Sequence, residues 1–187
     1  MKRLFAAVKI HPSPEFLKIY NDLRSGLKFA DIKWVKPDII HVTLKFFGET
    51  EEGKIPEISK VLKEVAARHD RFSSELVNVG IFGSSYDPRV IWFGMQKAEP
   101  LKALGEDVLK SVERIGWERD RQNFVPHLTI ARIKHVPDKK LFQAMIDRHK
   151  NAFIQEVSVA EFHLYESILQ REGPIYRVLT TFSLQRS

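Results

Sequence analysis

The chain contains no cysteine. That excludes disulfides, a thiol nucleophile and thiolate metal sites. No apolar run approaches the roughly 18 residues of a membrane span, and no charged start leads into a long apolar stretch. A cytoplasmic protein with no membrane contact is expected. Low-complexity tracts and Gly/Ser linkers are also absent, so residues 1–187 read as one domain with two lobes. There is no HExxH and no close grouping of His, Asp and Glu, so neither a metal nor another cofactor is expected. One stretch, Gly48 to Lys54, has the GxxxxGK spacing of a phosphate loop. Ile55 replaces the hydroxyl that would hold magnesium, and Glu49, Glu51 and Glu52 would repel phosphate. It reads as a capped turn into a helix.

What remains is globular and basic. The 187 residues are 43% hydrophobic and 29% charged, with a net charge of +6. Such a chain can bury a good core. Its charge suits a polyanionic partner such as RNA, although many basic proteins bind no nucleic acid.

One four-residue phrase occurs twice, as His41-Val42-Thr43-Leu44 and His127-Leu128-Thr129-Ile130. Each copy lies in an apolar, β-branched run, Ile39 to Phe47 and Phe124 to Ile133, and so reads as a buried strand. Residues i and i+2 of a strand share a face, so each imidazole stands beside a hydroxyl while the intervening residues face a core. With seven histidines and five threonines, chance supplies about 0.2 occurrences of His-x-Thr. A single copy would read as a satisfied core histidine; a repeated context does not.

Two histidines can divide acid–base work near neutral pH, one protonated and one neutral. If both face one cleft and bracket a phosphate, one takes a proton from attacking water and the other protonates the leaving oxygen. Thr43 and Thr129 would hold the non-bridging oxygens. This chemistry makes or breaks phosphodiesters without a metal.

HVTLKFFGE (His41 to Glu49) and HLTIAR (His127 to Arg132) resemble the two HxTx motifs of the 2H phosphoesterase superfamily. Within it they are most similar to the RNA 2′,3′-cyclic phosphodiesterases, also called 2′-5′ RNA ligases. Arg3 to Ala7 resembles that family's opening strand and Pro88 to Gly94 its central strand. Leu164 to Ser167, with Gly173 and Tyr176, resembles its closing strands. The resemblance implies that His41 protonates the leaving 3′ oxygen, that His127 is the base toward water, and that the product is a 2′-phosphate RNA end. It implies a phosphate role for Arg132 as well. The equivalent offset after His41 is occupied by Phe46, a candidate for base stacking. Regular alternation would put Arg132 on the face opposite His127, so its role requires a bulge or twist.

The elements alternate. Strands are expected at Leu4–Ile10, the two motif runs, Glu75–Phe82, Val90–Met95, Phe153–Val159, Phe162–Leu169 and Tyr176–Leu184. A helix capped by Ser13, with Pro14 in its first turn, is expected to run toward Phe29. Further helices are expected at Ile55–His69, Leu101–Ile115 and Asp138–His149. Short connections favour an α+β fold of two mainly antiparallel sheets with flanking helices. The repeated motif strand suggests internal pseudo-two-fold symmetry, and the resemblance implies a bilobal molecule with a central cleft.

Other signals are weaker. Phe47, Trp92 and Tyr165 could also stack a base, although strand aromatics usually pack in a core. Arg89 reads as solvated, and His11, His69, His135, His149 and His163 as surface or packing residues. Lys139, Lys140, Arg148 and Lys150 form either an RNA-guiding patch or an ordinary solvated face. Three functions are compatible with the reading: hydrolysis of RNA 2′,3′-cyclic phosphate ends by a monomer, 2′-5′ ligation by the same site, and RNA binding without catalysis.

Overall fold

A computed structural model describes residues 1–119 and 124–186 of the chain. It contains nine strands and four α-helices among these residues: β1 (Lys2–Lys9), α1 (Pro14–Gly26), β2 (Asp31–Trp34), β3 (His41–Thr50), α2 (Ile55–Ala66), β4 (Phe72–Gly83), β5 (Pro88–Gln96), α3 (Glu99–Glu113), β6 (His127–His135), α4 (Lys139–Arg148), β7 (Phe153–Val159), β8 (Glu161–Gln170) and β9 (Gly173–Ser183). They form a four-stranded sheet, β3-β1-β8-β9, and a five-stranded sheet, β2-β6-β5-β4-β7. Every strand pairing within the two sheets is antiparallel. No helix among the described residues is long and apolar enough to cross a membrane.

Local chemistry sets the element ends. Ser13 accepts a hydrogen bond from the Phe16 amide at 3.1 Å, with Pro14 at the first position and Glu15 in the first turn. Both residues suit the positive end of a helix. α1 stops at Gly26, three residues short of the expected Phe29. A Cβ at Gly26 would lie 2.1 Å from Met145 Cε, so the glycine lets α4 close onto α1. Asp138 caps α4 by accepting from the Leu141 amide at 2.9 Å. α3 buries Leu101, Leu104, Val108, Leu109 and Val112, the expected apolar stripe. The turn after Gly48 leads into α2 as expected, but no side chain caps that helix.

β2 was not expected. It is four residues long, and its exposed Asp31 and Lys33 interrupt an apolar pattern held only by Ile32 and Trp34. Its pairing with β6 makes it a strand. Such a short alternation carries little signal until a partner edge is supplied.

The two halves are built alike, with exchanged helices. Each motif strand pairs antiparallel with the strand that precedes it across a helix, β1 before β3 and β5 before β6. Yet α1, which follows β1, packs on β7 of the other sheet. Likewise α3, which follows β5, packs on β3 and α2. The exchange ties the lobes together and brings β3 against β6. The expected pseudo-two-fold, bilobal α+β architecture is present.

Candidate active site

The motif strands repeat more than their letters. From His41 to Phe47 and from His127 to Ile133 the burial pattern is identical: partly exposed at His and Thr, buried at the next two positions, exposed at the sixth and buried at the seventh. Two consecutive buried residues break strand alternation, and the pairing gives the cause. Ala6 and Ala7 of β1 pair with Lys45 and Thr43, skipping Leu44; Ile91 and Trp92 of β5 pair with Ala131 and Thr129, skipping Ile130. Each strand therefore has one bulged residue at the same motif position. A bulge resets the alternation, so the residue five places after each histidine returns to the histidine's face. That is how Phe46 and Arg132 come to line the same cleft as His41, Thr43, His127 and Thr129.

The cleft has a volume of about 640 Å³ and lies between the lobes. The His41 Nδ1–H donates to the Ile39 carbonyl at 2.9 Å, and the His127 Nδ1–H donates to the Val125 carbonyl at 2.9 Å. A carbonyl can only accept, so Nδ1 keeps the proton in both rings and Nε2 is the nitrogen left for a ligand. Each imidazole thus presents the same nitrogen to an incoming ligand.

Their surroundings differ. His41 sits among aromatic rings, 4.9 Å from Phe5 and 5.2 Å edge-on from Tyr176. Burial holds its pKa below the ordinary 6.5, with the Ile39 hydrogen bond acting the other way. Behind it, burial pushes the Tyr165 phenol up to about 12. Tyr176 is raised by burial too, with the charges of Arg132 and Arg3 opposing the shift. Arg132 therefore acts on a phenol carried by the opposite lobe. His127 has Phe82 edge-on at 4.9 Å.

Several lining residues were not singled out from the sequence for this cleft: Tyr176, Val35, Leu109, Phe124 and Lys45. Lys45 is the one with a visible signal, a charge inside an apolar strand. Its side chain is 4% exposed, and its ammonium donates to the Glu118 carbonyl at 2.8 Å. It thereby ties the first motif strand to the segment that leads to the second. Phe124 anchors that segment again, its ring pressed where a Cβ at Gly105 would meet it at 2.5 Å.

The remaining candidates sit elsewhere. Phe47 and Tyr165 are buried, as expected for packed strand aromatics, whereas Phe46 is 59% exposed. Arg89 is exposed and pairs with Asp87. Arg148 pairs with Asp22, and Lys139 lies over the Tyr86 ring. His69 and His149 bind Asp107 and Asp22, and His163 meets Thr181 across the strand pair. No residue from Gly48 to Lys54 lines the cleft. Among the described residues, no group of three His, Asp or Glu side chains is placed to hold a metal ion.

Comparison with known proteins gives a consistent result. Residues 33–170 match the model of the 2′-5′ RNA ligase superfamily. The RNA 2′,3′-cyclic phosphodiesterase of Archaeoglobus fulgidus is 32% identical over 96% of this chain and 99% of its own. That of Thermotoga maritima is 36% identical over 78% of this chain and 76% of its own. Among solved structures, E. coli LigT complexed with 3′-AMP superposes with a TM-score of 0.80 at 25% identity, covering 99% of each chain. With two bulged His-x-Thr strands facing one cleft and relatives matched almost end to end, the chain belongs to the 2′-5′ RNA ligase superfamily, as its paired motifs indicated.

Proposed function

We propose that this protein opens 2′,3′-cyclic phosphate ends of RNA to 2′-phosphates by two-histidine acid–base catalysis, without a metal or other cofactor. The observation that carries the reading is the matched pair of imidazoles, each anchored at Nδ1 by a backbone carbonyl and each lining the same cleft. His127 Nε2 takes a proton from water as the water oxygen attacks phosphorus. The P–O3′ bond breaks, and His41 Nε2–H delivers its proton to the departing 3′ oxygen. Thr43 and Thr129 donate to the non-bridging oxygens, and Arg132 offsets the charge that builds there. Phe46 offers its exposed ring to a base of the RNA.

Several observations support this. The relatives bear the name of this activity, and LigT has been solved with 3′-AMP and with phosphate. Both motif strands belong to one chain, so a monomer completes the site. The low pKa of His41 suits an acid whose proton is held mainly when an anionic phosphate is bound beside it.

The test is to incubate the protein in EDTA with an oligoribonucleotide ending in a 2′,3′-cyclic phosphate and identify the new end group. A 2′-phosphate is expected. A 3′-phosphate would reverse the bond assignment, and activity that appears only with added metal would refute the metal-free mechanism. RNA binding that survives loss of both histidines, with no end conversion by the wild type, would make the protein a binding module.

A further inference from the structure

The two imidazoles are tethered through the same nitrogen, but the tethers are built differently. Ile39, whose carbonyl accepts from His41, ends a short 3-10 helix, Pro37–Ile39, and its amide donates to the Lys36 carbonyl at 3.1 Å. The next carbonyl, that of Ile40, receives the Ile10 amide at 3.1 Å and ties the turn to the sheet. Main-chain bonds therefore fix the first tether. Val125, whose carbonyl accepts from His127, lies with Phe124 and Pro126 outside any helix or strand and is 63% exposed.

Two consecutive residues of α3 hold this second tether through Phe124. Gly105 leaves room for the Phe124 ring, which comes within 2.5 Å of where a Cβ would stand. Glu106 accepts the Phe124 amide on Oε1 at 3.4 Å and the Arg119 guanidinium on Oε2, so one carboxylate gathers residues 119 and 124. The helix itself is fixed by the next residue. Asp107 accepts from Arg68 at 2.9 and 3.1 Å and from His69 at 2.9 Å, just beyond the end of α2. α3 also packs on β3, the strand that carries His41. A continuous path thus runs from the strand of His41 through α3, Glu106, Phe124 and Val125 to His127. Neither Gly105 nor Glu106 lines the cleft.

A base needs this precision. With its Nδ1–H held by a carbonyl, the neutral ring has one tautomer and its Nε2 lone pair is free. If the carbonyl withdraws, the proton can move to Nε2, which then cannot take one from water. We propose that Glu106, with Gly105 beside it, is a positioning residue that fixes the tautomer and reach of His127 relative to His41.

This inference rests on the proposed role of His127 as the base, and a measurement independent of activity separates the two. Imidazole ¹⁵N chemical shifts distinguish the Nδ1–H from the Nε2–H tautomer in the intact protein. Wild type should show Nδ1–H at both His41 and His127. In Glu106→Ala and Gly105→Ala, His127 should lose that exclusive tautomer while His41 keeps it. Alanine favours a helix at both positions, and the two variants reach Phe124 by different routes, lost bonding and crowding. Turnover of a cyclic-phosphate oligonucleotide should fall roughly 10- to 100-fold in kcat with KM little changed, the scale of a displaced catalytic group. Glu106→Gln keeps an oxygen for the Phe124 amide and should retain the tautomer and most of kcat. An unaltered His127 tautomer in both alanine variants would overturn the positioning role. So would equal changes at the two histidines, or an unchanged kcat. Should one alanine variant fail to fold, the other decides, with Glu106→Gln as its reference. If wild type opens no cyclic phosphate, the proposed function fails, and the tautomer alone still decides whether α3 fixes the ring.

Discussion

The two lobes place the same pair of side chains on the same bulged strand, then diverge in what lies beside it. Reading across the four-stranded sheet from Thr43, the neighbours are Ala7, His163 and Thr181; across the five-stranded sheet from Thr129 they are Trp92 and Gly80. One row further, Phe46, Phe5 and Tyr165 correspond to Arg132, Val90 and Phe82. Ala7 against Trp92, His163 against Gly80 and Phe5 against Val90 exchange small for large between corresponding sites while the backbone is kept. The first lobe encloses its histidine in rings and lowers its pKa. The second opens onto the exposed ring of Phe82, with Lys33 set opposite Arg132. Symmetry of the backbone supplies two equivalent imidazoles, and asymmetry of the surroundings is what would separate their proposed roles.

The comparison breaks most severely at the histidines. His41→Ala and His127→Ala should each slow turnover of a cyclic-phosphate oligonucleotide by about 10²–10⁴-fold. The double variant should be far less impaired than the product of the two factors, because paired catalysts act as a unit. Near-wild-type turnover in either single variant would remove that residue from the mechanism.

Replacing the residues at the sixth motif position tests the asymmetry. Arg132→Gln should lower kcat/KM by roughly 10- to 100-fold, the scale of a hydrogen bond to a charged group. Phe46→Leu should act mainly on KM. Equal effects on kcat from both would mean that the two positions do the same thing.

A smaller loss is expected at the threonines, where Val preserves shape and removes the hydroxyl. Thr43→Val and Thr129→Val should each cost about 10-fold in turnover, and Thr→Ser should retain most of it. Unchanged turnover in the Val variants would assign these residues to the strand rather than to phosphate.

The subtlest difference is in pH. Under the proposed mechanism His41 is the acid and must carry its proton, so the rate should fall as pH rises through the His41 pKa. Because burial lowers that pKa, the alkaline limb of kcat/KM should lie below the ordinary histidine value of 6.5. Tyr176→Ala admits water beside the ring and should move that limb upward, whereas Phe82→Ala should not. Opposite responses would reverse the acid and base assignments. The same depression makes the folded state bind fewer protons than the unfolded chain. Stability should therefore fall as pH drops from 6.5 toward the lower folded values of His41 and His163. A double His41→Gln, His163→Gln variant should show a weaker decline in thermal unfolding experiments.

The sequence alone determined the strands that carry the motifs, the four helices within a few residues of their ends, and the two His-Thr pairs. These follow from local rules: apolar periodicity, the Ser13 and Asp138 caps, and the i, i+2 sidedness of a strand. A repeated phrase was enough to point to chemistry because both copies obey the same rule. Tertiary structure decided the rest. The position of Arg132 depends on the bulge at Ile130, which exists only in the pairing of β6 with β5. β2 exists because β6 offers it an edge, and Tyr176 reaches His41 only because β9 is folded back across the four-stranded sheet. The flat indole of Trp92 needs glycines on two strands. Each of these depends on residues distant in sequence, and single-strand periodicity contains no information about which strand lies alongside.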